Sequence, residues 1–189
     1  GVYGYTTIAT ASDDGLIGYW SFDKSGEEKN VFTEGFEACG AGNVPAGWEG
    51  WATEISYFEV SDTRAYEGKK SMKMTLVAED AASVLARSPK IPIEAGRYYS
   101  AIVNAFNETG ESELYLEFWD ESGRIGVTVT RNPLQGKWTE VVASGLAPEG
   151  SAHATVSLYC HRRIAGVSYH DGAKLIEAPI VEDLSGNEN

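Results

Sequence analysis

The stretch Leu114-Tyr115-Leu116-Glu117-Phe118-Trp119-Asp120 decides how this chain reads. It alternates strictly, and in a strand successive side chains point to opposite faces. Leu114, Leu116 and Phe118 then face a core, while Tyr115, Glu117 and Trp119 face away from it. Two large aromatics beside a carboxylate on the non-core face of a sheet are costly to leave bare. Planar aromatics offer a sugar ring a flat apolar surface, and a carboxylate accepts hydroxyl hydrogen bonds. The stretch therefore implies a glycan-binding surface on a β-sandwich.

Working outward, strand-like runs recur at 31–37, 55–60, 71–77, 82–88, 98–106, 124–130, 138–144, 152–160 and 167–177. Turn signals such as Glu67-Gly68, Glu121-Ser122-Gly123 and Pro148-Glu149-Gly150 separate them. No long stretch carries a helical period. Short strands in this number predict an all-β fold, a two-sheet antiparallel β-sandwich. Alternation assigns further faces. Tyr99, Ala101, Val103, Ala105, Ala154, Val156 and Leu158 point inward. Ser100, Ile102, Asn104, Phe106, His153, Thr155, Ser157 and Tyr159 point outward.

The chain has 189 residues and a formal net charge of −13. That length buries a real core. That charge argues against nucleic acid or an anionic membrane as a partner, because phosphate binding needs clustered Lys and Arg. Solubility explains the charge, and Arg131 or the Arg162-Arg163 pair leaves a polyanionic glycan open. The two cysteines, Cys39 and Cys160, have no CxxC partner, so zinc is disfavoured, and whether they bridge stays open. No apolar stretch approaches the length of a membrane span and no signal peptide is present, so the chain reads as an excised piece. Asn107-Glu108-Thr109 matches a glycosylation sequon, a weak signal.

Three parts follow. Residues 1–29 hold the aromatic run Gly15-Leu16-Ile17-Gly18-Tyr19-Trp20-Ser21-Phe22-Asp23, closed by a polar, turn-rich stretch. The body spans 30–178, and 179–189 form a short polar tail.

The body resembles the jelly-roll carbohydrate-binding modules of the cellulose- and xylan-binding type, families four, nine and twenty-two. Seven pieces in order carry the resemblance: Glu34-Gly35-Phe36-Glu37, Val44 to Trp48, Ala65 to Met74, Glu94 to Ala101, Leu116 to Gly123 with Trp138, Ala147 to Ala152, and Tyr169 to Leu175. Gly172 departs from it, since the group often has a second aspartate there. The flanks resemble something else. Gly15 to Asp23 is similar to the opening strand of laminin-G-like, concanavalin-type lectin sandwiches, and Asp183 to Asn189 to the segment that follows it. Either the body is inserted in a second sandwich, or the flanks pair with each other as an edge hairpin.

Tyr115, Glu117, Trp119 and Tyr159 are the candidate sugar contacts, with Arg131 as a charged contact and Trp51 on one rim. The competing reading is that a loop or flank covers these aromatics. The resemblance implies that Trp48 is structural; Trp138 is read as core. It also implies one structural Ca²⁺ far from the sugar, with Glu37 and Asp171 as side-chain ligands and a carbonyl near Lys69. Calcium wants six to eight oxygens, and such an ion would tie the first strand to the last. The competing reading is solvated turn carboxylates.

Catalysis is weakly supported. Asp120 and Glu121 sit at a turn, and His153, His161 and His170 lack metal-ligand spacing and a nucleophile motif. The expected function is a non-catalytic module of a larger secreted or surface polysaccharide-degrading protein, acting by effective concentration. Its partners would be polysaccharide or oligosaccharide and the neighbouring domains, at an extracellular or cell-surface location. The alternative is a structural or protein-interaction sandwich of a multidomain surface protein.

Overall fold

The computed structural model describes residues 8–12, 15–20, 28–78, 83–160 and 164–178. The first two strands, β1 (Ile8–Ser12) and β2 (Gly15–Trp20), pair antiparallel and, among the described residues, only with each other. The body begins with β3 (Lys29–Glu34), β4 (Glu49–Trp51), β5 (Tyr57–Ser61) and β6 (Ser71–Leu76). It continues with β7 (Val84–Arg87), β8 (Ile91–Pro92), β9 (Tyr98–Asn107) and β10 (Ser112–Trp119). It closes with β11 (Arg124–Asn132), β12 (Trp138–Leu146), β13 (His153–Cys160) and β14 (Gly166–Glu177).

Two six-stranded antiparallel sheets result, as the alternating runs predict. One has the order β11-β10-β13-β7-β4, with β8 beside β13; the other has β12-β9-β14-β6-β5, with β3 beside β14. Their inner faces form the core. Leu114, Leu116 and Phe118 meet Ala154, Val156 and Leu158 from the first sheet, and Tyr99, Ala101, Val103 and Ala105 come from the second. Each large apolar side chain buried here contributes about 1.5–3 kcal/mol. Trp48 is buried with its ring centroid 5.4 Å from that of Phe36, as the resemblance implies.

The strand β4 has no counterpart among the expected runs. It is three residues long and lies in a glycine-rich stretch without alternation. Gly50 permits it, because a Cβ there would fall 1.8 Å from the Leu85 carbonyl oxygen. Only glycine lets this edge strand lie so close to β7.

Two expectations are corrected, and the open question of the cysteines is answered. Trp138 is not core: it lies on the outer face of the second sheet, 5.7 Å from Phe106 and edge-on to Tyr66 at 5.6 Å. The sequon asparagine, Asn107, is buried and donates its amide to the Asn132 and Leu134 carbonyls, so it offers no accessible acceptor. Cys39 and Cys160 are both free thiols, and burial pushes the Cys160 thiol up to about 11. The tail expectation at 179–189 and the residues His161, Arg162 and Arg163 lie outside the described residues.

Candidate functional site

The outer face of the β10 sheet is built by register. Tyr115 stands between Ser157 of β13 and Val129 of β11, and Glu117 stands between Thr155 and Val127. Trp119 lies beside His153 and, across a bulge, Arg124. Beyond β13, β7 sets Arg87 next to Ser157 and Leu85 next to Tyr159. The edge strand β4 then adds Trp51 beside Leu85. Trp51, Tyr159, Tyr115, Glu117, Trp119 and Arg131 are thus brought onto one face, three of them from β10 and one each from β4, β11 and β13.

Glu117 is the hub of this face. It is 1% exposed. Arg87 Nε donates to its Oε2 at 2.8 Å, and Arg124 Nη1 donates to Oε1. The Ser157 and Thr155 hydroxyls donate to Oε2 at 2.7 and 3.1 Å. Burial alone would push this carboxyl up, but the hydrogen bonds from Arg87, Ser157 and Arg124 outweigh it and hold it below its usual value. The expectation that Glu117 itself accepts sugar hydroxyls is therefore corrected: both oxygens are already taken by side chains of the same sheet.

The aromatics are oriented by the same network. The Trp119 indole N–H donates to Thr155 Oγ1 at 3.1 Å, so its edge is fixed from Glu117 outward. The Arg87 guanidinium lies 4.8 Å from the Trp119 centroid and 5.8 Å from that of Trp51, and Lys90 Nζ lies 5.1 Å from Trp119. Cations at such distances are attracted by an indole face. Tyr115 and Tyr159 pack with centroids 5.1 Å apart. Tyr115 donates its hydroxyl to Glu113, which also receives Arg131. Burial and the Glu113 carboxylate push the Tyr115 hydroxyl well up, so it stays protonated. Trp51, at 60% exposure, is the large flat surface left to solvent.

Arg87, Arg124 and Lys90 were not legible as site residues. Arg87 lies thirty positions from Glu117, and cross-sheet neighbours leave no spacing signal. Arg124 is the nearest to legible, because it opens the strand directly after the turn that ends β10. A guanidinium has five N–H groups, so each arginine retains donors after serving Glu117. The face thus offers aromatic surface, N–H donors and the exposed Glu49 carboxylate beside Arg87.

Glu37, Lys69 and Asp171 also converge, around the loop 66–70. Glu37 Oε1 accepts the backbone N–H groups of Lys69 and Lys70, both at 2.8 Å, and these hold its carboxyl below the usual value. Asp171 Oδ2 accepts the Tyr66 and Glu67 N–H groups at 2.8 and 3.0 Å, and Oδ1 accepts that of Gly172. Burial outweighs those bonds and raises the Asp171 carboxyl. Lys69 presents its N–H to Glu37. N–H groups aimed at three of four carboxylate oxygens do not fit an oxygen cage for calcium.

Asp120 closes its own turn, accepting from the Ser122 hydroxyl and from the Ser122 and Gly123 N–H groups. The Ser122 hydroxyl is foremost in lowering its carboxyl. His170 is buried and held neutral, its imidazole pushed down to about 4.

No protein-family model and no curated protein sequence matches the chain. Solved structures do. The CBM22-1 xylan-binding domain of Paenibacillus barcinonensis Xyn10C is similar at 12% identity and TM-score 0.59, over 80% of this chain and 96% of that one. TmCBM61, solved with β-1,4-galactotriose, is similar at 18% identity and TM-score 0.53, over 79% and 99%. The enzymatically active domain of bacteriophage CBA120 tailspike protein 4 is similar at 16% identity and TM-score 0.58, over 71% of this chain but 20% of that one. At these identities the likeness is one of fold: the chain has the β-sandwich of carbohydrate-binding modules.

Proposed function

We propose that the chain is a non-catalytic carbohydrate-binding module that holds a larger polysaccharide-degrading protein on its glycan, at an extracellular or cell-surface location. The observation that carries this reading is the outer face of the β10 sheet. Trp51 presents an exposed indole, Tyr159, Tyr115 and Trp119 continue the aromatic surface, and Arg87 and Arg124 keep donors beside it. Aromatic surface with a few fixed polar groups is what sugar recognition requires. Glu117 acts in this reading as a positioning residue. The similar xylan-binding and galactotriose-bound modules support the same use of the fold.

Charge refines the ligand. The face sets Arg87, Lys90, Arg124 and Arg131 against Glu49, Glu111, Glu113 and Glu117, four cations to four carboxylates. A locally balanced face on a chain of net charge −13 favours a neutral glycan over a polyanionic one. The flanks 1–29 and 179–189 belong, in this proposal, to a neighbouring laminin-G-like sandwich. Lys29 and Glu177 are paired neighbours, so the chain enters and leaves the body at one corner.

The second reading, a protein-interaction sandwich, is favoured by one observation on the opposite sheet. Tyr98, Val142 and Leu146 are exposed there, with Tyr98 and Leu146 directly paired at that same corner. A glycan array separates the two. Binding to one class of neutral polysaccharide supports the module reading. Silence across the array, with a folded protein, moves the assignment to the interaction reading.

A further inference from the structure

The turn after β3 is held in an unusual way. Phe36, wholly buried, adopts φ 62°, a left-handed conformation that a bulky residue takes only at a cost. Something must hold the turn in that state. Lys70 does so from both ends of the residue. Its backbone N–H donates to Glu37 Oε1 at 2.8 Å, and its Nζ reaches the carbonyls of Glu37 and Cys39 at 2.9 and 2.6 Å. Two converging carbonyls and a neighbouring carboxylate are the kind of oxygen set that draws a cation. Here a covalently attached ammonium already fills it.

On the other side of the loop, Asp171 takes the Tyr66 and Glu67 N–H groups, so loop 66–70 is gripped between β14 and the first turn. Gly172 follows Asp171 at φ 61°, within a register shift of β14 against β9. The bulge favours glycine here, and no second carboxylate is present at this step. Fewer carboxylates and one resident ammonium point the same way.

We infer that the joint between the first turn, loop 66–70 and the last strand is metal-independent, with the Lys70 ammonium in the role of its cation. The inference does not rest on the glycan reading, and the sheet face described above is not involved. The joint has the polarity of a lysine site: carbonyl oxygens toward Nζ, N–H groups toward carboxylates.

The test uses the full chain, melted by calorimetry in millimolar calcium chloride and in excess EGTA, with calcium titrated into chelated protein by isothermal calorimetry. The two melting temperatures coincide and the titration shows no saturable heat. Lys70→Met, which keeps the stem and removes the charge, lowers the melting temperature by about 2–4 °C in both buffers. Lys70→Arg, which keeps the charge, recovers part of that loss. A higher melting temperature in calcium, or saturable calcium binding abolished by Glu37→Gln, overturns the inference. So does a Lys70→Met protein that melts with the wild type. If Lys70→Met does not fold, the calcium and EGTA melts of the wild-type chain decide alone.

Discussion

Glu117 and Asp171 are carboxylates on the outer faces of opposite sheets, 1% and 2% exposed, and their partners differ in kind. Glu117 is held by side chains: two guanidinium groups and two hydroxyls. Asp171 is held by three backbone N–H groups. The acid is pulled down at Glu117, where guanidinium and hydroxyl bonds outweigh desolvation, and pushed up at Asp171, where they do not. A backbone N–H spent on a carboxylate has nothing further to give. An arginine spent on a carboxylate still has donors and a flat face. The first arrangement locks a joint, whereas the second orients groups that remain available to a ligand.

The largest effect is expected at the hub. Glu117→Ala leaves Arg87 only the exposed Glu49 carboxylate at 3.8 Å and takes the acceptor from the Ser157 and Thr155 hydroxyls, and should cost about 3–5 kcal/mol in urea unfolding. A loss comparable to that of an ordinary surface change would mean the network is not a unit. A second large effect comes from pH. His170 sits at about 4 in the fold against 6.5 as an ordinary imidazole, so the unfolded chain takes up the proton first. Stability should fall as pH drops from 6.5 to 4, by about 3 kcal/mol for this group.

Glu117 and Asp171 add contributions of opposite sign. The contribution of Glu117 is fully present above its unfolded value and is lost as pH falls through the lowered folded one. The raised Asp171 carboxyl works the other way, its stabilisation by protonation being lost as pH rises through the folded value. Asp171→Asn should therefore cost less than Glu117→Gln, by about 1 kcal/mol or more, and should shallow the response above the ordinary aspartate range. Equal costs would erase the distinction between the two stations. The smallest stability effect is expected at Trp51, whose replacement by alanine should stay within about 0.5 kcal/mol.

Much of the fold was legible because alternation is a backbone property. In β9, β10 and β13 the inward set Tyr99 to Ala105, Leu114 to Phe118 and Ala154 to Leu158 is buried as the pattern requires. The outward placement of Tyr115, Trp119 and Tyr159 follows from the same period. What alternation cannot carry is pairing across strands. Nothing near Glu117 in sequence announces Arg87, which reaches it only because β13 lies between β10 and β7. Nor does the pattern say that a carboxylate between two aromatics will be consumed internally. Trp138 was misread for a related reason: outer-face aromatics bury one another, here with Phe106 and Tyr66, and hydrophobicity alone looks like core. The role of Lys70 was hidden because a lysine pair after a glycine in a turn, Gly68-Lys69-Lys70, ordinarily reads as solvated.

The central claim is that the outer face of the β10 sheet, not its opposite, binds glycan. Affinity electrophoresis in a neutral polysaccharide that retards the wild-type chain tests it, with Trp51→Ala and Leu146→Ala run alongside. Both residues are about equally exposed, 60% and 61%, and lie on different sheets. Trp51→Ala should weaken binding about tenfold or more, as for an aromatic anchor, while Leu146→Ala runs with the wild type. Retardation unchanged in Trp51→Ala but lost in Leu146→Ala would contradict the account and place the ligand on the other face.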